Sequence, residues 1–200
     1  AAVRPLAAGA QVVAIGGSTG SPAAIVQILN RLPRDFPFPV LLVIHINEPF
    51  GAAFAQWLDA QSPLRVRYAV DGEPPPAGGT VIMASPGRHL LVERGALRFS
   101  SAPERHSCRP SVDVLFESLA AEMGPRVLAC LLTGMGRDGA AGLLAVRRAG
   151  GGTIAQDEAT SVVYGMPREA IVLGAAERVL PLGEIGAAIA AAAPRPGGGP

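Results

Sequence analysis

The chain has 200 residues, of which 49% are hydrophobic, and this length and apolar content suit one large α/β domain. Seventeen basic and sixteen acidic side chains leave a net charge of +1, which argues against a broad nucleic-acid footprint and against a polyacidic partner. Every basic residue is an arginine, so the absence of lysine also excludes Schiff-base chemistry and the lysine-dependent phosphate loop.

The two cysteines and the apolar runs predict the cellular setting. Cys108 and Cys130 show neither a disulfide framework nor a zinc-ligand spacing. The longest apolar runs have the length of a strand, and the first residues lack the charged and apolar regions of a secretion signal. We therefore expect a cytoplasmic protein that does not insert into a membrane, binds no nucleic acid and needs no metal or cofactor.

Short β-branched runs alternate with longer Ala/Leu-rich segments, a pattern typical of βαβ units. The Ala, Pro and Gly composition at either end predicts a linker or disordered segment at 1–10 and a disordered tail at 194–200, around one domain at 11–193. The predicted strands are 11–15, 40–44, 64–69, 80–84, 126–132, 153–155 and 178–180. The predicted helices are 22–31, 52–60, 112–123, 140–149, 167–173 and 185–193.

One segment departs from this alternation. "HLLVERGALRFS" places a short Arg-Gly turn between two alternating runs, which predicts an antiparallel β-hairpin at 89–100. The fold class that we predict is therefore α/β. It is a doubly wound, mostly parallel, Rossmann-like sheet with helices on both faces and one antiparallel β-hairpin.

Ligands of an open parallel sheet bind beyond the carboxyl ends of the strands, where loops and helix N-termini converge. Only reactive residues that follow a predicted strand therefore qualify as candidates for chemistry. This criterion retains Ser18, His45, His89, Asp138 and Asp157.

Ser18 lies in "GGSTG", which satisfies G-x-S-x-G, a pattern typical of an elbow that exposes a serine hydroxyl and leaves the Thr19 amide facing an oxyanion. A tight strand-to-helix turn capped by Ser21 would explain the same letters. Ser18 stands where G-x-G-x-x-G needs its second glycine, which disfavours a dinucleotide site. A nucleotide- or phosphate-binding Rossmann-like module without these motifs remains an alternative.

His45 follows a continuously apolar strand and is the preferred candidate for a general base, whereas His89 and His106 are less well placed beside the first strand. Asp138 would accept the second ring N–H of His45, although capping the helix that follows it would equally explain an aspartate there. A thiol–imidazole pair of Cys108 with His106 is not expected, because a polar connector does not preorganise a thiolate.

Longer motifs carry a family resemblance. They are "IGGSTGSPAAI", "IH" at the end of the second strand, "SPGRHLLV", "RPSVDVLFESLA" and "LLTGMGRDGAAGLLAVRRAGGGTIAQDEATSVVYGMPREAI". Over residues 12–182 the sequence resembles the catalytic domain of the chemotaxis-specific protein-glutamate methylesterases, the CheB family. The resemblance implies that Ser18 is the nucleophile, His45 the base and Asp138 the orienting acid.

The resemblance also implies that the Thr19 and Met135 backbone amides bind the oxyanion. It implies hydrolysis of γ-glutamyl methyl esters on chemoreceptor helices to release methanol, with deamidation of receptor glutamines by the same acyl chemistry. A receiver domain and a histidine kinase of two-component signalling are the implied partners. We expect Arg109, Arg137 and Arg168 in the motif loops to orient an acidic receptor helix. A catalytically silent receptor-docking domain is the further alternative.

The sequence departs from the usual family pattern around Ser18 and His45. It has Gly17 and Ser21 beside the Ser-Thr-Gly segment, Ile44 and Ile46 around His45, and "HSCRPS" where relatives have "RHRPS". These changes touch the rim of the pocket, so they concern substrate detail more than the reaction.

Overall fold

The structure, a computed structural model, describes residues 6, 9–46 and 50–194 of the chain. Most of the predicted linker at 1–10 and of the predicted tail at 194–200 lies outside the described residues, so those assignments stay predictions. Leu6 and Ala10, which are described, are buried against the core.

Seven parallel strands form the main sheet, in the order β3-β4-β2-β1-β7-β8-β9, and two antiparallel strands, β5 and β6, form a hairpin. The predicted fold class is confirmed. The strands are β1 Val12–Gly17, β2 Val40–Ile44, β3 Arg65–Tyr68, β4 Thr80–Met83, β5 His89–Glu93, β6 Ala96–Ser100, β7 Val127–Leu131, β8 Gly152–Gln156 and β9 Arg178–Leu180.

Six α-helices in the described part of the chain correspond to the six predicted ones, with bounds that shift by up to three residues. They are α1 Ser21–Leu29, α2 Phe50–Gln61, α3 Val112–Met123, α4 Ala140–Arg148, α5 Met166–Val172 and α6 Leu182–Ala191. None of these helices is long and apolar enough to cross a membrane.

Two apolar clusters lie on opposite faces of the sheet, which is why the central strands read as unbroken apolar runs. On β1, Val13 and Ile15 join the cluster under α1, α2 and α6. Val12 and Ala14 join the other cluster, under α3, α4, α5 and the hairpin. The alternation of neighbouring side chains along β1 therefore serves both layers.

The order of the strands reverses at β1. From β1 the chain passes to β2 on one side, and it later returns to β7 on the other side. Such a reversal leaves a crevice beyond the carboxyl ends of the two flanking strands. The residues that follow β1, β2 and β7 are therefore brought to one edge of the sheet, and they include Ser18, His45 and Asp138.

The β5–β6 hairpin turns at Arg94 and Gly95, whose φ angles of 53° and 74° are typical of a type I′ turn. The backbone N–H of Val92 donates to Ser118 Oγ at 3.0 Å and joins β5 to α3. The hairpin thereby supports the helix whose N-terminus lies beside the site.

Candidate active site

Ser18 and His45 lie at the same level of two adjacent strands. β1 pairs with β2 in a register that opposes Gly17 to Ile44, and the backbone N–H of His45 donates to the Gly17 carbonyl at 3.2 Å. On its other side the Ser18 N–H donates to the Thr133 carbonyl, which follows β7, at 3.1 Å. Ser18 therefore extends the central strand into the crevice at the switch point.

The Gly-rich turn lets the chain pass very close to its neighbours. A Cβ on Gly16 would lie 2.2 Å from a Val112 methyl carbon, and a Cβ on Gly17 would lie 2.6 Å from Ser21 Cβ. Gly20, the N-cap of α1, has a φ of 82°. Capping by Ser21 is wrong: Ser21 is already helical, and its hydroxyl donates to the Ser18 carbonyl at 2.5 Å.

His45 and Asp138 form the central contact of the site, because His45 Nε2 lies 2.8 Å from Asp138 Oδ2. The Asp138 side chain is only 2% exposed, and as a carboxylate it can only accept hydrogen bonds. Nε2 therefore carries the proton that it donates to Asp138. In the neutral ring the other nitrogen, Nδ1, keeps its lone pair; it lies 3.7 Å from Cys108 Sγ.

Asp138 accepts three more hydrogen bonds, all from the start of α3. They come from Ser111 Oγ at 2.6 Å and from the backbone N–H groups of Val112 and Asp113 at 2.7 and 3.1 Å. Burial alone would raise the pKa of Asp138, but the bonds from His45, Ser111 and the α3 amides outweigh it and lower that pKa. Asp138 is thus held as an anion.

The alternative role of Asp138, as N-cap of the helix that follows it, is wrong. Gly139 is the N-cap of α4 and makes no side-chain capping bond. Asp138 instead supplies acceptors to the first free N–H groups of α3, a helix that begins 26 residues before it in sequence. The positive end of that helix adds to the stabilisation of the carboxylate.

The environment of His45 changes its proton affinity. Burial favours the neutral ring, but the hydrogen bonds to Asp138 and to Cys108 outweigh it and raise the pKa of His45 to about 9. The side chain keeps 16% exposure, so the ring is still accessible from the crevice. A histidine held in one orientation by a buried carboxylate has the geometry of a general base.

Behind Asp138 lies a second buried carboxylate, Asp113, which the strand-end criterion missed. Asp113 Oδ1 accepts the Gly142 N–H at 2.6 Å, in the first turn of α4, and Oδ2 lies 3.1 Å from His106 Nε2. Burial raises the pKa of Asp113. Asp138 and Asp113 therefore exchange caps, because each lies near the start of one helix and binds the first turn of the other.

The rival candidates have other partners. His89 is buried, and its Nδ1 accepts the Ser111 N–H at 3.1 Å, so its Nε2 is the protonated nitrogen facing the Pro103 carbonyl. Both of its nitrogens are thereby occupied. Asp157 closes a local turn by accepting the Thr160 N–H at 3.0 Å. His106 pairs with Asp113 and also accepts from Arg137 Nε at 3.1 Å.

Cys108 is brought to the site although its sequence context gave little reason to expect it. Its S–H donates to the His106 carbonyl at 3.3 Å, and the sulfur lies 3.7 Å from His45 Nδ1. The thiol is half-buried, whereas Cys130 lies fully in the core, where burial raises the pKa of its thiol. The histidine that contacts Cys108 is thus His45, far away in sequence.

The loop after β7 packs directly against Ser18. A Cβ on Gly134 would lie 2.8 Å from Ser18 Cβ, and the Gly134 carbonyl accepts the N–H groups of Gly165 and Met166 at 3.2 and 2.9 Å. Thr19 and Met135 are both exposed, Met135 by 71%. Neither backbone N–H donates to an acceptor within the described residues.

The three arginines differ in how firmly they are held. Arg137 is exposed and bonds to His106, and Arg168 is exposed on α5. Arg109 is half-buried, donates from a terminal nitrogen to the Ala102 carbonyl at 3.3 Å, and has a buried Nε without a partner among the described residues. Their role in orienting a substrate stays a prediction.

A sequence model described as CheB methylesterase matches residues 13–189. The chain belongs to the CheB methylesterase family. Its architecture is that of the crystal structure of the Thermotoga maritima CheB methylesterase catalytic domain, with a TM-score of 0.85 at 36% identity, over 90% of this chain and 97% of that one.

Curated relatives of this chain share about half of its aligned residues. A "Protein-glutamate methylesterase/protein-glutamine glutaminase 1" of Burkholderia lata is 50% identical over 188 residues, which cover 94% of this chain and 56% of the relative. "Protein-glutamate methylesterase FrzG" of Myxococcus xanthus is 49% identical over 89% of this chain and 53% of the relative. The CheB family chain thus spans about half the length of the curated relatives it matches.

Proposed function

We propose that this chain is a serine hydrolase that demethylates γ-glutamyl methyl esters on chemoreceptor helices and releases methanol. The observation that carries the proposal is the hydrogen bond from His45 Nε2 to the buried Asp138 carboxylate, at 2.8 Å, beside the strand end that presents Ser18. The relatives named protein-glutamate methylesterase support the ester as substrate. Membership of the CheB methylesterase family supports a role in chemosensory adaptation.

In the acylation step His45 Nδ1 takes the proton of the Ser18 hydroxyl while the serine oxygen attacks the ester carbonyl. Nδ1 is the acceptor because Nε2–H is committed to Asp138. Asp138 fixes the tautomer and stabilises the imidazolium that forms. The imidazolium then protonates the leaving methoxide, which departs as methanol and leaves a glutamyl ester on Ser18.

The tetrahedral oxyanion would be bound by the backbone N–H groups of Thr19 and Met135. Thr19 follows Ser18 directly, and Met135 follows Gly134, which packs against Ser18 Cβ. Two N–H groups without an acceptor in the described part of the chain support this assignment. Each such donor contributes about 2.7–4 kcal/mol to transition-state stabilisation.

A water molecule activated by the same His45 nitrogen would hydrolyse the acyl-enzyme and restore Ser18. General base catalysis of this kind contributes about 10²–10⁴-fold. An amide substrate would release ammonia in place of methanol, so deamidation of receptor glutamines uses the same residues. The printed names of the relatives, which combine methylesterase and glutaminase, support this second reaction.

The proposed partner is the cytoplasmic part of a chemoreceptor, whose acidic helices Arg109, Arg137 and Arg168 would orient. A receiver domain and a histidine kinase are the further partners that family membership suggests. We also propose a cytoplasmic location and residues 11–193 as the catalytic domain.

The proposal is tested by methanol release from a methylated receptor fragment. Ser18→Ala should abolish release while leaving the circular dichroism spectrum unchanged. Ser62→Ala is the matched control, because Ser62 precedes β3 and so lies at the opposite edge of the sheet. Equal release from the wild-type chain and Ser18→Ala would refute Ser18 as nucleophile. Absence of release from the wild-type chain, with receptor binding retained, would favour a docking domain instead.

A further inference from the structure

The hydrolytic mechanism gives no role to the thiol of Cys108, which contacts His45. The sulfur lies 3.7 Å from His45 Nδ1, and the opposite ring nitrogen is bound to the buried Asp138. The thiol sulfur, one ring nitrogen and a carboxylate oxygen lie within 4.8 Å of one another. No local sequence spacing reveals this group, since its members come from three separate segments.

The separation of sulfur and nitrogen suits a single tetrahedral metal ion. Zinc binds thiolate sulfur at about 2.3 Å and imidazole nitrogen at about 2.0–2.1 Å, so a tetrahedral angle places the two ligand atoms about 3.5 Å apart. The 3.7 Å between Cys108 Sγ and His45 Nδ1 needs almost no adjustment to reach that value.

The carboxylate on the far side of the ring completes a second feature of metal sites. Histidines that bind metal almost always donate their other ring N–H to a carboxylate or carbonyl, which fixes the ring and raises its basicity. Asp138 makes this contact with Nε2 at 2.8 Å and is itself held by three groups of α3. His45 thus presents Nδ1 to Cys108 as a preorientated ligand.

We propose that Cys108 Sγ and His45 Nδ1 bind a thiophilic divalent cation, with Zn²⁺ as the main candidate. The two ligands border a cleft of about 150 Å³ that Glu104, Ser107 and Arg109 also line, so water can supply the remaining positions. A site with two firm protein ligands releases its metal more readily than the closed four-ligand sites of structural zinc. We therefore expect metal binding at this site to be reversible.

Metal at this position has a direct consequence for the proposed hydrolysis, and this part of the inference rests on the proposed function. The cation takes the lone pair of Nδ1, the nitrogen assigned to accept the Ser18 proton. Asp138 still holds Nε2, so neither ring nitrogen is left to act as base. Zn²⁺ should therefore inhibit hydrolysis, because it competes with the Ser18 proton for His45 Nδ1. It does not displace Ser18.

The test uses the metal alone and reads binding separately from activity. Co²⁺ is titrated into the chain under a non-thiol reductant, and the near-ultraviolet band of thiolate-to-cobalt charge transfer is recorded. Zn²⁺ affinity is then measured by displacement of Co²⁺. Cys108→Ser should abolish the band and weaken Zn²⁺ binding by at least about tenfold. Cys130→Ala, which removes the thiol in the core, is the matched control and should retain both.

Three outcomes would overturn the inference. They are a Co²⁺ spectrum without a thiolate band, a Zn²⁺ affinity that Cys108→Ser leaves unchanged, and binding lost in His106→Gln but kept in Cys108→Ser. The last result would move the metal to the neighbouring group of His106, Asp113 and Asp138. A chain that binds the metal as expected but hydrolyses no ester would leave this site intact and refute only the proposed function.

Discussion

Replacing Cys108 with alanine should move the pH dependence of ester hydrolysis to lower pH. Cys108 contacts His45 Nδ1, and this contact is one of the causes that raise the pKa of His45 to about 9. The proposed hydrolysis requires the neutral imidazole, so kcat/KM of the wild-type chain should rise with pH through this pKa. Without the thiol, burial and Asp138 alone act on the ring, and its pKa should fall.

The size of the effect follows from the fraction of neutral imidazole. With a pKa of about 9, roughly 3% of His45 is neutral at about pH 7.5, and a first fall of one pKa unit raises that fraction roughly eightfold. Alanine should therefore increase kcat/KM severalfold near neutral pH and change it little above about pH 9.5. The thiol would also no longer occupy the place beside Nδ1 that the Ser18 hydroxyl reaches in the proposed mechanism.

The assay is kcat/KM for methanol release between about pH 6 and 10, for the wild-type chain, Cys108→Ala and the control Cys130→Ala. Titration of the His45 ring by NMR in the same variants separates a pKa change from a change in substrate binding. An unchanged midpoint in Cys108→Ala, by both measurements, would refute the claim that the thiol raises the pKa of His45.

Three further perturbations have effects that the geometry fixes. Asp138→Asn should lower kcat for methanol release by up to about 10⁴-fold, because an amide does not hold the neutral ring in the tautomer that carries its proton on Nε2. It should also lower the free energy of unfolding by about 1–3 kcal/mol in urea, because its NH₂ group faces the Val112 N–H. Gly134→Ala should reduce kcat for methanol release clearly while changing the free energy of unfolding less. The added Cβ would lie 2.8 Å from Ser18 Cβ and would also press on the Met166 sulfur. Because its pKa is raised from 6.5 to about 9, His45 stabilises the fold fully below about pH 6.5 and loses this contribution as pH rises through about 9. The urea midpoint of His45→Gln should therefore differ from the wild type at pH 6 more than at pH 9.5.

Much of the fold follows from features that are local in sequence. Apolar runs of strand length, separated by Ala/Leu-rich segments, gave the parallel sheet, and the Arg-Gly turn gave the hairpin. The strand-end criterion then selected Ser18, His45 and Asp138. These residues lie at one edge because β1, β2 and β7 are neighbours in the sheet. One helix start was predicted three residues too late: α6 begins at Leu182 rather than at 185, and Pro181 is its N-cap.

What sequence reasoning missed depends on contacts between distant segments. Asp138 was weighed as a cap for its own helix because the N-cap preference is local, whereas its real partner is the start of α3. The connection between β6 and α3 reads as a polar linker, yet it carries Cys108 to His45, 63 residues away in sequence. No periodicity or spacing encodes how such a connection crosses the end of a sheet.

The exchange of caps between α3 and α4 explains how this fold keeps the buried carboxylate of Asp138 anionic without a neighbouring lysine. Asp138 receives two N–H groups from the first turn of α3, and Asp113 of that turn receives the Gly142 N–H of α4. A displacement of either helix would therefore leave buried polar groups of both unsatisfied, at about 1–3 kcal/mol each. The position of Asp138, and through it the orientation of the His45 ring, is thus tied to the packing of two helices. The geometry of the proposed catalytic site and the stability of the fold therefore rest on the same hydrogen bonds.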